Sequence, residues 1–185
     1  NIFKKSGYYF AEIEILEEIN SNNTVTLTYQ IDRGEKALIK KIRFIGDKIF
    51  KDRKLYSIIT SEEGKFWKFI SKGKYLDFER MNLDKRLLKS FYLNNGYYQV
   101  EIEDGYSQII NENGFSLTYQ INAGDKFYFN NFEILLPDDY EPKQFKKLTK
   151  VFEKLKNKAY DQSKISKILN EIDKISLLEN YEFID

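Results

Sequence analysis

The sequence predicts an α+β fold of tandem two-layer modules with the element order β-α-α-β-β, in which two helices cover one face of a three-stranded mixed sheet. Three observations lead to this fold class. The chain contains an internal repeat of about 90 residues. Within each repeat the apolar residues switch from strand spacing to helix spacing and back. The strands alternate apolar with polar side chains, which is typical of sheets with one wet face.

Two pairs of segments carry the repeat. Residues 7–13, GYYFAEI, recur 89 positions later as residues 96–102, GYYQVEI. Residues 27–31, LTYQI, recur without change as residues 117–121. Because the two offsets agree to within one residue, the repeated unit is a whole module and not a single short motif.

The repeat divides the chain into three predicted modules. Residues 1–35 are predicted to be the C-terminal hairpin of one module, and residues 36–125 a complete module. Residues 126–185 are predicted to be a module that lacks its last strands. The predicted linkers are very short, because strand residues resume within a few positions of the border glycines Gly34 and Gly124.

The elements of the complete module follow from the spacing of its apolar residues. A strand over residues 39–45 ends at Gly46, and a short helix follows it. Asp77 is a suitable N-cap for a longer helix, which Gly96 ends in a left-handed conformation. Two strands, separated by a turn at residues 111–114, complete the module. The apolar residues of these elements are Leu55, Ile58 and Ile59 in the short helix, Leu83, Leu87, Leu88, Phe91 and Tyr92 in the long one, and Tyr98, Val100, Ile102, Phe115, Leu117, Tyr119 and Ile121 in the strands.

The last module repeats the first part of this order. A strand region is predicted around Phe127, Phe129 and Ile134, and two helices follow it. The residues predicted to line the helices are Phe145, Leu148, Phe152 and Leu155 in one and Ile165, Ile168, Leu169 and Ile172 in the other.

The composition excludes most enzyme classes. The chain has 30 Lys and Arg against 29 Asp and Glu, and this net charge of +1 does not indicate a nucleic-acid partner. Histidine and cysteine are absent from the sequence, which excludes Ser–His and Cys–His nucleophile pairs, thiol redox centres and the usual zinc sites. The glycines lie too far apart for a phosphate-binding turn. We therefore predict no catalytic residues, no metal site and no cofactor.

One signature resembles that of a known family. Asn-Gly-Tyr-Tyr at residues 95–98, followed by LTYQI at residues 117–121 and by Gly124, resembles the polypeptide-transport-associated (POTRA) repeat. Residues 66–75 are similar to a tryptophan-containing insertion between the helices of one such repeat. The resemblance covers essentially the whole chain. Tyr181 departs from the pattern, because it stands where the last repeat would carry the glycine of the turn.

The resemblance implies a function in the periplasm, at the inner face of the bacterial outer membrane. A POTRA arm of this kind binds unfolded outer-membrane proteins and accessory lipoproteins of an assembly complex during β-barrel insertion, and it is not an enzyme. The alternative is the POTRA arm of a related two-partner secretion or translocation transporter. The resemblance also implies that the full protein continues into a membrane barrel, although this stretch does not itself span the membrane.

The candidate binding site is the free edge of the sheet, whose unpaired N–H and C=O groups can accept another extended chain. In the POTRA fold the second strand lies at that edge, which corresponds to residues 97–104 here and to residues 8–16 in the first module. We expect Tyr98, Val100 and Ile102 to pack toward the helices while Gln99, Glu101 and Glu103 stay wet. The predicted partner-binding residues are Tyr97, Tyr98, Gln99, Val100, Glu101 and Ile102.

An aromatic loop is a second possible partner surface. Phe66, Trp67 and Phe69 stand among lysines, a composition that can bind a protein partner, lipid or single-stranded nucleic acid. Packing against their own or a neighbouring module is the favoured interpretation.

Two other features have a structural interpretation. Glu12 and Glu14 alternate along a strand, so they are read as a solvated face and not as an acid/base pair. The repeated tyrosines Tyr29 and Tyr119 are read as core residues whose hydroxyl groups remain in water.

Overall fold

The structure of the protein is a computed structural model, which describes residues 2–5, 7–64, 72–103, 106–111, 114–136 and 141–179. In these ranges the helices are α1 (Ile2–Lys5), α2 (Asp52–Tyr56), α3 (Phe78–Leu93), α4 (Lys146–Leu155) and α5 (Gln162–Glu179). The strands are β1 (Glu12–Ile19), β2 (Val25–Asp32), β3 (Leu38–Asp47), β4 (Glu101–Ile102), β5 (Tyr106–Asn111) and β6 (Gly114–Asn122). Short 3₁₀ helices occupy Lys72–Lys74 and Pro142–Phe145.

The predicted α+β fold class is confirmed, with helices packed on a mixed sheet. β1 and β2 form an antiparallel two-stranded sheet, and β3, β6, β4 and β5 form a second sheet. This second sheet has four strands and not the expected three, because residues 106–111 form a strand, β5, that was not predicted.

The chain divides into two compact units. The first consists of Asn1–Leu88 with Ile102–Ile121, and the second of Lys89–Glu101 with Asn122–Asp185. The segment that contains the second Gly-Tyr-Tyr motif thus belongs to the second unit. The division into modules at residues 35 and 125 stays a prediction.

The core of the first unit lies on one face of the second sheet. Ile39 and Phe44 of β3, Leu55 of α2 and Leu88 of α3 are buried there together with the central strand β6. Phe44 stacks on Tyr119, with ring centroids 5.7 Å apart. Burial of these apolar groups is the main stabilising contribution to such a core.

Helix α3 begins as the sequence predicts but presents a different face. The backbone N–H groups of Glu79 and Arg80 donate to Oδ1 of Asp77 at 2.9 and 3.2 Å, which is the predicted N-cap. The prediction that Leu83 is a core residue is wrong, because that side chain is exposed and the neighbouring Asp84 is fully buried. A carboxylate is found inside because the surrounding groups bind it, as described below.

The core of the second unit is formed by Phe145, Leu148 and Ile168 from the segments around α4 and α5, as the helical spacing predicts. Phe132 and Phe152 pack against this cluster. Their two rings stack on each other with centroids 4.7 Å apart. Two predictions are wrong here. Leu169 is exposed, because it follows Ile168 and a helix turns about 100° per residue, away from the buried stripe. The strand region predicted around Phe127, Phe129 and Ile134 forms no regular strand within the described residues 126–136, where Tyr128 forms an isolated bridge with Ala159.

Candidate functional site

The second sheet has two outer strands of different kinds. β6 lies in the centre, with β3 on one side. Tyr106 of β5 lies opposite Thr118, and the N–H of Glu103 donates to the carbonyl of Gln120 at 3.1 Å. Since a central strand has only two sides, β4 and β5 share the side that β3 leaves free. They form one interrupted edge, called here the β4–β5 edge.

The chain itself closes the β3 edge. The N–H of Gly64 donates to the carbonyl of Ile39 at 2.7 Å, and the N–H of Leu76 donates to the carbonyl of Ala37 at 2.9 Å. The N–H of Ile42 donates to the Glu63 carboxylate at 3.0 Å. With these backbone groups paired, β3 has no row of free donors and acceptors for another chain.

The β4–β5 edge carries no such cover in the described part of the chain. There, the described residues form no backbone bond to the outer side of β5. Ile109 and Ile110 are neighbours in this strand, and the pairing with β6 is irregular between Ile109 and Asn111. Both remain exposed, by 59% and 52% respectively. An edge with apolar side chains and free backbone groups is a template for strand pairing.

The predicted partner-binding residues lie mostly outside the strand. Only Glu101 and Ile102 belong to β4, whereas Tyr97 and Val100 are buried in the turn before it. The N–H of Val100 donates to the carbonyl of Tyr97 at 3.3 Å, which keeps this segment from extending. The predicted strand over residues 97–104 therefore begins too early.

Tyr98 also differs from its predicted orientation. Its side chain is 56% exposed. The ring contacts Phe127 and Tyr160 of the second unit, with centroid distances of 5.9 and 5.1 Å. The Tyr98 ring therefore does not pack a strand against the helices. Its position is determined by these aromatic contacts within the second unit. The predicted exposure of Gln99, Glu101 and Glu103 is confirmed.

Sequence reasoning missed the longer part of the edge, Tyr106–Asn111. The available signal was a run of strand-forming residues, Tyr106, Ile109 and Ile110, directly before the turn at residues 111–114. The pairing of Asn111 with Gly114 confirms the turn itself. The possible partner loop of Phe66, Trp67 and Phe69 lies outside the described residues.

A buried carboxylate anchors the central strand. Asp84 accepts hydrogen bonds from the N–H and Oγ1 of Thr60 at 2.6 and 2.7 Å and from the N–H of Ser61 at 3.1 Å. It also accepts one from the Tyr119 hydroxyl at 2.7 Å. The prediction of a wet Tyr119 hydroxyl is therefore wrong. Burial, followed by the Asp84 charge, raises the pKa of Tyr119. These bonds connect β6 with α3 and with the loop at Thr60 and Ser61.

Among the described residues, no cluster of acidic side chains is arranged to hold a metal ion. None of the helices in the described ranges has both the length and the apolarity needed to cross a bilayer.

Comparisons with known proteins give consistent results. The family model described as POTRA, "Surface antigen variable number repeat", matches residues 37–124. The chain is 27% identical over 176 residues to the outer membrane protein assembly factor BamA of Buchnera aphidicola, covering 94% of this chain and 28% of that protein. It is 26% identical over 153 residues to BamA of Neisseria meningitidis, covering 82% of this chain and 19% of that protein. The chain thus spans less than a third of these curated relatives.

A solved structure has the same fold. The crystal structure of Haemophilus influenzae BamA POTRA3-5 superposes with a TM-score of 0.57 at 13% identity, covering 94% of this chain and 65% of that one. At that identity the similarity concerns the fold alone. The resemblance predicted from the sequence is confirmed, and the relatives are named for assembly and not for catalysis. Residues 37–124, just under half of the chain, thus match the POTRA family model.

Proposed function

We propose that this chain is part of a periplasmic POTRA arm in outer-membrane protein assembly, where it holds unfolded precursors by adding their strands to the β4–β5 edge. The observation that carries the proposal is the asymmetry of the second sheet. The β3 edge is closed by backbone and carboxylate partners of the chain, whereas Ile109 and Ile110 are exposed on the other edge. Of the two edges of this sheet, the β4–β5 edge is therefore the one open to a client strand in the described part of the chain.

Strand addition suits a receptor for many clients. Pairing uses backbone N–H and C=O groups, which every extended client presents, so the client sequence matters little. The two exposed isoleucines would contribute apolar contact to the added strand without selecting one side chain. The partners in this proposal are unfolded outer-membrane proteins and accessory lipoproteins of the assembly complex.

A related secretion or translocation arm is the alternative function. The names of the curated relatives favour assembly over it. The edge geometry is compatible with either, because both functions require an arm that receives extended chains.

The test is a titration with a peptide that copies one strand of an outer-membrane barrel, monitored by backbone amide chemical shifts. We expect shifts along residues 101–111 and weakened binding in Ile110→Lys, because a charged side chain on an edge opposes pairing. Ile45→Lys is the matched control. Ile45 is an exposed isoleucine on the closed edge strand β3, so its replacement should leave the affinity unchanged. Equal loss in both variants, or shifts confined to residues 65–75, would overturn the proposal.

A further inference from the structure

An apolar groove lies between α4 and α5 in the second unit, and none of its lining residues belongs to the β4–β5 edge. Leu148, Val151 and Leu155 of α4 form one wall, and Ile168 of α5 forms part of the other. The α4 residues recur at i, i+3 and i+7, so they lie in one stripe about 10 Å long. The groove encloses about 220 Å³. Leu148 and Ile168 are buried at its floor, while Val151 remains 38% exposed at its mouth.

The rim of this groove is positively charged. Lys164 and Lys167 line its α5 side. In the described part of the chain neither lysine has an ion-pair partner. Glu171 also lines the groove, but its carboxylate accepts a bond of 2.7 Å from Lys174. That bond, with the charges of Lys174 and Lys147, lowers the pKa of Glu171. The Glu171 carboxylate is thus paired with Lys174, whereas the two rim lysines have no such partner among the described residues.

We propose that this groove binds an amphipathic helix whose apolar stripe is flanked by acidic residues, supplied by a partner protein. The inference goes beyond strand addition, because the site, the partner's secondary structure and its charge all differ from those of the β4–β5 edge.

The walls favour a helix over an extended segment. Backbone N–H and C=O groups within α4 and α5 are bonded inside their own helices, so the groove offers no ladder for a strand. A docking helix satisfies its own backbone and needs only to bury side chains at i, i+3 or i+4 spacing, which a groove between two helices accepts.

Other occupants fit the groove less well. Its volume of about 220 Å³ lies below the range of roughly 300–1,000 Å³ that small-molecule pockets occupy. Proteins bind a flat membrane surface by inserting convex apolar faces between its lipids. Leu148 and Ile168 instead lie at the bottom of a concavity. The acidic character of the partner follows from Lys164 and Lys167, since unlike charges at the rim of an interface direct association.

The experiment uses two designed helical peptides that share the same leucine stripe and differ only in whether glutamates or lysines flank it. We expect the glutamate peptide to bind and to shift the amide signals of Val151, Leu155 and Ile168. The lysine peptide should not bind. The double variant Lys164→Glu/Lys167→Glu should reduce the affinity for the glutamate peptide about tenfold and gain affinity for the lysine peptide.

The control variant is Lys143→Glu, which changes an exposed lysine outside the groove and should leave both affinities unchanged. Circular dichroism of each variant verifies that α4 and α5 still form. Equal binding of the two peptides, shifts at the β4–β5 edge, binding to anionic vesicles without binding to the glutamate peptide, or self-association through Val151 would each overturn the proposal.

Discussion

The same pentapeptide, LTYQI, has two different environments in this chain. In β2, Leu27, Tyr29 and Ile31 are exposed by 49%, 58% and 47%. In β6, Leu117, Tyr119 and Ile121 are exposed by 0%, 0% and 1%. Both copies are strands with the same alternation, so the local pattern determines the strand and not its burial.

The difference comes from what surrounds each strand. Among the described strands β2 pairs with β1 alone, and both are exposed along their whole length. β6 has strands on both sides and a core on one face. Even Ser116 and Thr118, which alternate with its apolar residues, are buried. The prediction that Tyr29 and Tyr119 are both core residues is therefore wrong for Tyr29, and correct for Tyr119 except at its hydroxyl group.

The largest expected effect is in the packing of the leucines. Leu117→Ala should lower the free energy of unfolding by about 2–5 kcal/mol, because it leaves a cavity in a fully buried site. Leu27→Ala, at a half-exposed position, should cost less than about 1 kcal/mol. Urea unfolding of the two variants measures both values. A similar loss in the two variants would mean that β2 is covered in solution as fully as β6.

The tyrosines give a smaller difference of another kind. Tyr119→Phe removes the hydroxyl that donates to buried Asp84, so we expect a loss of about 1–2 kcal/mol. Tyr29→Phe should be neutral to within about 0.5 kcal/mol. If Tyr119→Phe is also neutral in urea unfolding, the Asp84 network does not stabilise β6.

The pH dependence follows from the same hydroxyl. Since the pKa of Tyr119 is raised above its ordinary value of 10.0, the unfolded chain loses this proton at a lower pH than the folded one. The contribution is fully present below pH 10 and is lost as the pH rises further. We expect the stability of the unmodified protein to fall more steeply above that pH than the stability of Tyr119→Phe.

Local patterns predicted local structure well. The N-cap at Asp77, the turn before Gly114 and the helical stripes of α4 and α5 depend on neighbours within a few residues, which the sequence displays directly. Three features depend on distant partners: the burial of Asp84, the exposure of Tyr29 and the closed β3 edge. Asp84 is polar at a position where the helical pattern expects an apolar residue. Its bonds to Thr60 and Tyr119 become evident only when the strands and loops are assembled.

The candidate site illustrates the same limit. Edge addition was predicted on the second strand, but the segment from Tyr97 to Val100 turns back before β4 begins. The aromatic contacts of Tyr98 with Phe127 and Tyr160 join residues that are far apart in sequence. Strand alternation alone could not indicate these contacts. A tyrosine packed in a sheet core and a tyrosine packed against an aromatic cluster have the same place in an alternating pattern.

The smallest expected difference between the two copies is at their glycines. Gly7 and Gly96 have φ values of +88° and +102°, and each accepts a bond from the next segment, from Ala37 at 2.9 Å and from Phe127 at 2.8 Å. Replacement of either glycine by alanine should therefore cost about 1 kcal/mol in urea unfolding, because L-residues disfavour positive φ.

The matched control for both is Gly64→Ala, whose added Cβ has no neighbour closer than 3.5 Å and whose φ is not in the left-handed region. It should change stability by less than about 0.5 kcal/mol. Gly7→Ala and Gly96→Ala should have similar effects even though the two LTYQI copies differ in burial. At both positions glycine is needed because of the positive φ and of one backbone bond to the following segment. If only Gly96→Ala is destabilising, the two copies differ at this turn as well as in the cover over their strands.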